Sequence, residues 1–248
     1  EDMAGMEQAR GAGRKAGDDH GAHDSPAGAK REPGARRSRA CCILPAPLYT
    51  SRPAREIMMM LTGPVVPPRQ GDARQLVVLL HGWGADGNDL IGLAPALQGE
   101  LPHARFTSPN APDPCDQNPM GRQWYSFLDE RPERLKAGYV RAADLINGYL
   151  DAELLRLGLD DSRLALFGFS QGAMMALFVA LRRARPMAAV VGCSGAMIDG
   201  ESLGAELASR PPVLLLHGDA DPMVPFDSLH EAVAVLAEHE VAAQWHAS

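Results

Sequence analysis

The sequence predicts an α/β fold with a mostly parallel central sheet and helices on both faces. Short apolar runs alternate along the chain with segments that carry an apolar stripe at helical spacing. This order is typical of parallel sheets with right-handed crossovers. Two glycine-rich turns, at residues 82–87 and 168–172, each follow an apolar run directly. These turns hold three of the candidate functional residues.

The chain divides into an N-terminal extension and a folded domain. Residues 1–57 contain ten Lys and Arg against eight Asp and Glu, whereas the remaining 191 contain fourteen against twenty-three. The first segment mixes Gly, Ala, Arg, Pro and Asp without periodicity, so it has too little apolar surface to offset the entropy of ordering. We expect residues 1–57 to be a disordered or non-native tail and residues 58–248 to form the folded domain.

Strands and helices alternate in the predicted order. The apolar run at 76–80 has the continuity that a strand buried on both faces requires. Val140, Ala143, Ile146 and Leu150 are three or four residues apart, which predicts one helix after Lys136 that ends near residue 158. The long segment 109–134 is predicted as a loop, and loops of that length are usually functional. The other predicted strands are 104–108, 164–167, 188–191, 213–216 and 242–246, and the other helices are 88–98, 171–183, 201–209 and 227–238.

A Gly-x-Ser-x-Gly motif lies between a predicted strand and a predicted helix, at Gly168-Phe169-Ser170-Gln171-Gly172. In this motif the serine occupies a strained turn, and small flanking residues allow close packing while the hydroxyl stays accessible. The helix N-terminus favours the negative charge that develops during acyl transfer. We therefore predict Ser170 as a catalytic nucleophile. The alternative is a chance occurrence of the pattern in a glycine-rich chain.

A second turn, His81-Gly82-Trp83-Gly84, follows the first buried strand. With a nucleophile turn of this kind, one oxyanion-hole N–H comes from the residue after the serine and another from a turn after an earlier strand. We expect the backbone N–H groups of Gln171 and Trp83 to be these two donors.

The same turn also satisfies the dinucleotide-binding pattern Gly-x-Gly-x-x-Gly at residues 82–87. That fingerprint expects an Asp or Glu roughly twenty residues further on, at the end of the second strand. The second predicted strand leads instead into Thr107-Ser108-Pro109-Asn110. A nicotinamide-binding module is therefore the weaker alternative.

Two candidate acids, Asp219 and Asp221, follow the predicted strand at 213–216. In proteins that carry the Gly-x-Ser-x-Gly nucleophile turn on such a sheet, the catalytic acid comes after the nucleophile along the chain, on a turn beyond a later strand. Spacing alone does not choose between the two. Aspartates also occur in turns because they cap backbone N–H groups, so either one has a structural alternative.

Five sequence blocks together resemble the phospholipase/carboxylesterase family of α/β-hydrolases, to which acyl-protein thioesterases are related. The blocks occur in the family's order: LHGWGADGNDL at 80–90, PNAP at 109–112, GRQWY at 121–125, GFSQG at 168–172 and HGDADPMVP at 217–225. The resemblance implies an α/β-hydrolase fold and a carboxylesterase, lysophospholipase or thioesterase that works through an acyl-enzyme, without a metal or organic cofactor. It assigns the nucleophile to Ser170, the acid to Asp221, and the oxyanion N–H groups to Trp83 and Gln171.

The resemblance also implies that the loop at 121–125 lines the substrate pocket. Trp124 is then a pocket residue, with an ordinary core aromatic as the alternative. Apolar residues near the expected site, including Met223, Trp83 and Phe127, favour an acyl chain as part of the substrate. They do not distinguish a carboxylic ester from a thioester or a lysophospholipid.

The catalytic histidine is the one expected residue that the sequence does not place. In the family it follows the last strand, and this sequence ends within the corresponding predicted strand, so we expect the histidine beyond Ser248 and little esterase activity without it. After Asp221 the sequence contains His230, His239 and His246. The first two lie on or at the end of a predicted helix and the third on a strand, so none is favoured as the base.

Composition narrows the partners to small molecules. A net charge of −7 without a basic stripe argues against nucleic-acid binding, and no apolar stretch reaches the roughly 18 residues of a membrane span. Four cysteines without Cys-x-x-Cys spacing predict neither a disulfide framework nor a zinc site. We expect a cytoplasmic protein that acts on a small ester or acyl-thioester, without stable membrane insertion and with its oligomeric state undetermined. A catalytically inert binding protein with the hydrolase fold is the other alternative.

Overall fold

The structure, a computed structural model, describes residues 60–248. The prediction of a disordered or non-native tail at 1–57 lies outside the described residues. The strands are β1 (Val65–Val66), β2 (Gln75–Leu80), β3 (Ala104–Thr107), β4 (Asp113–Pro114), β5 (Arg122–Gln123), β6 (Leu164–Phe169), β7 (Ala189–Cys193), β8 (Val213–His217) and β9 (Ala243–Ala247). The helices are α1 (Gly87–Ile91), α2 (Ala94–Leu97), α3 (Pro132–Leu157), α4 (Gln171–Arg182), α5 (Gly200–Glu206) and α6 (Asp227–Glu238), with a 3-10 turn at Asp161–Arg163.

The main sheet has the order β1-β3-β2-β6-β7-β8-β9. Every pair in it is parallel except β1, which pairs antiparallel with β3 at the edge. This confirms the predicted, mostly parallel sheet. The short antiparallel edge strand was not predicted, because two valines followed by two prolines give no periodic signal.

Separate apolar cores lie on the two faces of the sheet. Along β2, Leu76, Val78 and Leu80 belong to one core, and Val77 and Leu79 belong to the other, because successive strand residues point to opposite faces. Residues of α3, α4 and α6 cover the first core, and residues of α1 and α2 cover the second. The prediction of helices on both faces is therefore confirmed.

Two predicted boundaries differ from the structure around proline. The single helix predicted at 88–98 is instead two short helices, because α2 begins with Pro95 in its first turn, and a proline inside one continuous helix would remove a backbone hydrogen bond. The helix α3 begins at Pro132 inside the predicted loop, a position that suits proline because the first N–H of a helix has no partner. It ends at Leu157, close to the predicted residue 158, and its C-cap Gly158 adopts the left-handed conformation with φ 65°.

The strand order reverses at β2, since the strands that follow it along the chain, β3 and β6, lie on its opposite sides. In open α/β sheets, ligands bind beyond the carboxyl ends of the strands at such a reversal. The turns after β2 and β6 therefore meet at the position where a site is expected. No helix within residues 60–248 combines the length and apolar character needed to cross a membrane.

Candidate active site

Ser170 occupies the turn between β6 and α4. Its backbone angles are φ 53° and ψ −120°, a region that residues with a side chain rarely adopt and that costs on the order of 1–3 kcal/mol. Its backbone N–H donates to the carbonyl oxygen of Cys193 at 2.8 Å, which ties the turn to the end of β7. The serine is partly exposed, so it is not part of the buried core.

The two glycines of the motif are required by close backbone packing. A Cβ atom at residue 168 would lie 2.5 Å from the Ala173 nitrogen and closer still to the Gly172 carbonyl oxygen. A Cβ atom at residue 172 would lie 2.5 Å from the Leu80 carbonyl carbon. Glycine at these positions therefore lets the first turn of α4 rest on the end of β2, which sharpens the turn that carries Ser170.

The turn after β2 lies beside the serine. A Cβ atom at residue 82 would be 3.4 Å from the Cβ of Ser170, so the two glycine-rich turns are in direct contact. Among residues 60–248, neither the backbone N–H of Trp83 nor that of Gln171 donates a hydrogen bond to the protein. The turn that carries the predicted nucleophile and the turn beside it thus each have one backbone N–H without an acceptor among the described residues.

Asp221 lies in the turn after β8 and has one carboxylate oxygen held by the backbone. Its Oδ1 accepts from the N–H groups of Met223 at 2.8 Å and Val224 at 3.0 Å. The hydrogen bonds from Val224 and Met223, together with one from the Ser194 hydroxyl, hold the pKa of Asp221 below its ordinary value. The carboxylate therefore stays ionised below the range in which a free aspartate takes up a proton.

Asp219 is the less constrained of the two candidate acids. It is exposed, and its backbone N–H donates to the carbonyl oxygen of Ser248 at 3.0 Å. Ser194, which hydrogen-bonds Asp221, directly follows Cys193, the acceptor of the Ser170 N–H. Only Asp221 is thus connected to the nucleophile turn by a short path of contacts through the end of β7.

The two buried histidines make their hydrogen bonds to backbone groups. His81 Nε2 accepts from the Ala111 N–H at 3.0 Å, so its Nδ1 carries the proton and donates to the Gly82 carbonyl at 2.8 Å. Burial lowers the pKa of His81, which agrees with a neutral ring. His217 Nε2 lies 3.0 Å from the Val224 carbonyl oxygen. Neither arrangement leaves a nitrogen in contact with the Ser170 hydroxyl.

The remaining histidines after Asp221 occupy the positions that the sequence predicts for them. His230 lies on α6, His239 is its C-terminal cap, and His246 is exposed on the edge strand β9. None of the three is assigned as the base.

Trp124 lies in the core, and not on the surface of a pocket. The side chain is fully buried, and its indole N–H donates to the His81 carbonyl oxygen at 2.9 Å. A residue without accessible surface does not line an accessible pocket in this structure, so Trp124 takes the core position that was its alternative. An indole N–H needs an acceptor when it is buried, and the turn after β2 supplies it.

Sequence reasoning missed the side chain of Gln171. It was predicted only as a source of a backbone N–H, but its carboxamide is also fully buried and hydrogen-bonded to the backbone of residues 124 and 125. The contact joins positions 46 and 47 residues apart. The one available signal is that a glutamine, a residue that is mostly exposed in proteins, occurs at the start of a strongly apolar helix.

Exposed apolar side chains occur in and beside the predicted site residues. Phe169 and Phe127 are 42% and 39% exposed, and Met223 is 79% exposed. The ring of Phe127 packs edge-on against that of Trp83, with 5.9 Å between centroids. These residues expose apolar surface, and the assignment of Met223 to the substrate pocket stays a prediction.

The chain matches a family model described as phospholipase/carboxylesterase over residues 61–243. It is similar to acyl-protein thioesterase 1 of Schizosaccharomyces pombe, with 32% identity over 158 residues that cover 60% of this chain and 69% of the relative. Among solved structures it resembles esterase PE8, at 41% identity and a TM-score of 0.73, over 76% of this chain and 89% of the other.

More distant structures share the fold alone. SOBER1 from Arabidopsis thaliana is 23% identical with a TM-score of 0.62, over 71% of this chain and 88% of that one. The carboxylesterase of Bacillus cereus is 17% identical with a TM-score of 0.64, over 77% and 86%. The family model alone covers well over half of the sequence and the fold agrees with it, so the chain belongs to the phospholipase/carboxylesterase family of α/β-hydrolases.

Proposed function

We propose that the protein is a serine esterase or thioesterase that hydrolyses small carboxylic esters or acyl-thioesters through an acyl-enzyme on Ser170. The observation that carries this proposal is the strained turn of Ser170, which contacts the turn after β2, together with the backbone N–H groups of Trp83 and Gln171, which have no acceptor among the described residues. Membership of a hydrolase family and similarity to an esterase and a thioesterase support it.

The reaction proceeds in two steps. The Ser170 oxygen attacks the carbonyl carbon of the substrate while a general base takes the hydroxyl proton, and the alcohol or thiol then leaves. Water attacks the resulting acyl-serine in the same way and releases the acid. In both steps the negative oxygen of the tetrahedral intermediate accepts hydrogen bonds from the N–H groups of Trp83 and Gln171, each worth on the order of 3–4 kcal/mol.

Asp221 serves as the acid of this mechanism. Its role is to orient the imidazole of the base and to stabilise the charged ring that forms when the base takes the proton. Backbone donors occupy Oδ1, and Oδ2 lies 3.8 Å from His217 Nε2. We assign the base to none of the histidines in residues 60–248.

The exposed apolar side chains near the predicted site residues support an acyl chain as the group that the protein recognises. Phe169, which precedes the serine, and Phe127, whose ring packs against Trp83, expose apolar surface, as does Met223. Burying such surface against a substrate chain contributes about 25 cal/mol per Å². Esters and thioesters differ in the leaving atom, oxygen or sulfur, and the charges near the site do not favour one over the other. The proposal therefore covers both substrate types.

Covalent labelling tests the proposal. An alkyl fluorophosphonate is incubated with the protein, with and without added imidazole as an external base, and the intact mass is followed over time. We expect one phosphonyl group per chain, on the peptide that contains Ser170, and no labelling of Ser170→Ala. The matched variant Ser228→Ala, which changes a partly buried serine on α6, keeps the label.

Two results would overturn the proposal. One is the absence of labelling at Ser170 in both conditions, which favours a catalytically inert member of the fold. The other is labelling that persists in Ser170→Ala, which places the reactive group elsewhere. Release of p-nitrophenol from short-chain p-nitrophenyl esters, measured in parallel, follows the first step, in which the alcohol leaves. Release beyond one equivalent per chain also requires the second step, because the acyl-serine must be hydrolysed before another turnover.

A further inference from the structure

The two proposed oxyanion donors belong to different elements. The Trp83 N–H lies in the turn after β2, and the Gln171 N–H lies at the start of α4. An oxyanion gains most when both donors lie about 2.7–3.1 Å from the same oxygen. The two donors can meet this condition only if other contacts hold the turn after β2 and the start of α4 at a fixed distance.

The side chain of Gln171 makes the first of these contacts. Its Oε1 accepts from the backbone N–H of Trp124 at 2.9 Å, and its Nε2 donates to the backbone carbonyl of Tyr125 at 2.8 Å. The carboxamide is fully buried, so water does not compete for these bonds. The residue that supplies one oxyanion donor therefore holds residues 124 and 125 with its side chain.

The segment that begins with β5 holds the other turn in its place. The Gly84 N–H donates to the Arg122 carbonyl at 2.9 Å, and the Arg122 N–H donates to the Ala85 carbonyl at 2.7 Å. The indole N–H of Trp83 donates to Gln123 Oε1 at 2.8 Å. The proposed Trp83 donor and the two residues that follow it are thus bound to this segment.

Trp124 adds a fourth bond, on the N-terminal side of the turn. Its indole N–H donates to the His81 carbonyl at 2.9 Å, and the two rings pack with centroids 5.3 Å apart. A continuous path therefore runs from the Gln171 side chain through Trp124 to the turn that carries Trp83.

We propose that Gln171 and Trp124 are positioning residues that set the distance between the two oxyanion donors, an inference that rests on the proposed function of Ser170. Both act through backbone groups and neither side chain touches the substrate. Gln171 thus has two roles, one through its backbone N–H and one through its side chain.

The test compares two labelling reagents that differ in one acceptor atom. An alkyl fluorophosphonate presents a P=O oxygen to the donors, and its thiono analogue presents a P=S sulfur, which is a much weaker hydrogen-bond acceptor. With either reagent the Ser170 oxygen forms a bond to phosphorus, fluoride leaves, and the proton passes to imidazole in the buffer. The ratio of the two second-order rate constants therefore reports the oxyanion donors.

The variants are Trp124→Phe, which removes the indole N–H together with the five-membered ring of a buried side chain, and Gln171→Met, which removes both carboxamide bonds at similar volume. We expect the P=O to P=S ratio to fall about tenfold in each variant, part of the loss seen when an oxyanion donor is removed outright. The matched controls are Trp245→Phe, a half-exposed position on β9, and Gln98→Met, whose side chain donates to the Pro67 carbonyl. Both controls keep the wild-type ratio.

A merely structural role predicts a different result. A smaller fraction of folded protein lowers both rate constants equally and leaves their ratio unchanged. A wild-type ratio in either variant, with the fold verified by circular dichroism, overturns this inference. Labelling that persists in Ser170→Ala overturns the proposed function instead, so the two failures are distinguishable.

Discussion

Replacing Gly172 by alanine tests the close contact between the nucleophile turn and β2. The added Cβ would lie 2.5 Å from the Leu80 carbonyl carbon and 2.7 Å from the His81 carbonyl oxygen, whereas ordinary carbon contacts are about 3.5–4.0 Å. The first turn of α4 therefore has to move away from β2 by about 1 Å. Both sides of the contact are backbone, so no side-chain rotation relieves it.

The expected cost is about 2–3 kcal/mol, near the upper end of the range for overpacking a core. For a domain of this size such a loss lowers the Tm by about 5–10 °C. A displacement of about 1 Å at the reacting groups also costs roughly 100-fold in rate, so labelling of Ser170 slows by that factor even well below the Tm.

Differential scanning calorimetry and the fluorophosphonate assay measure the two effects. Gly92→Ala is the matched control, because nothing lies within 4 Å of a Cβ at that position, and it should keep both the Tm and the labelling rate. Wild-type stability and labelling in Gly172→Ala would refute the argument that the glycine is required by backbone contact.

Three further predictions concern stability. Asp221→Ala leaves two backbone N–H groups without their acceptor, so in urea unfolding it should cost about 1–2 kcal/mol, against less than about 0.5 kcal/mol for the exposed Asp219→Ala. Burial lowers the pKa of His81, so as the pH falls the unfolded chain takes up a proton on this histidine before the folded chain does. The free energy of unfolding should therefore decrease as the pH falls below about 6.5, and His81→Gln should weaken this dependence. Leu166→Ala, at a fully buried position on β6, should cost about 2–5 kcal/mol, whereas Leu155→Ala, 84% exposed on α3, should cost little. A reversal of either pairwise order, or a pH dependence unaffected by His81→Gln, contradicts the corresponding prediction.

The main elements were predictable because their signals are local. The apolar runs at β2, β6 and β8 and the helical stripe of α3 are visible within single windows of sequence, and so is the Gly-x-Ser-x-Gly turn. The helix predicted at 227–238 agrees with α6 at both ends. The strands β6, β7 and β8 end one or two residues later than predicted because they continue into the turns that follow them, and α5 ends three residues earlier than predicted.

The missed features depend on contacts between distant parts of the chain. The β4–β5 hairpin has only two residues in each strand, and Asp113 in it is held by Arg141 on α3 at 2.7 Å. The buried bonds of Gln171 and Trp124 also join separate segments. A sequence motif can therefore identify the nucleophile turn, but the contacts that fix the opposite turn leave no local pattern.

The most direct test of the central claim is a crystal structure of the protein after reaction with the fluorophosphonate. The account predicts a covalent adduct on Ser170 whose phosphoryl oxygen lies about 2.7–3.1 Å from the backbone nitrogens of both Trp83 and Gln171. An adduct on another residue, or a phosphoryl oxygen that points to solvent away from these two N–H groups, would contradict it.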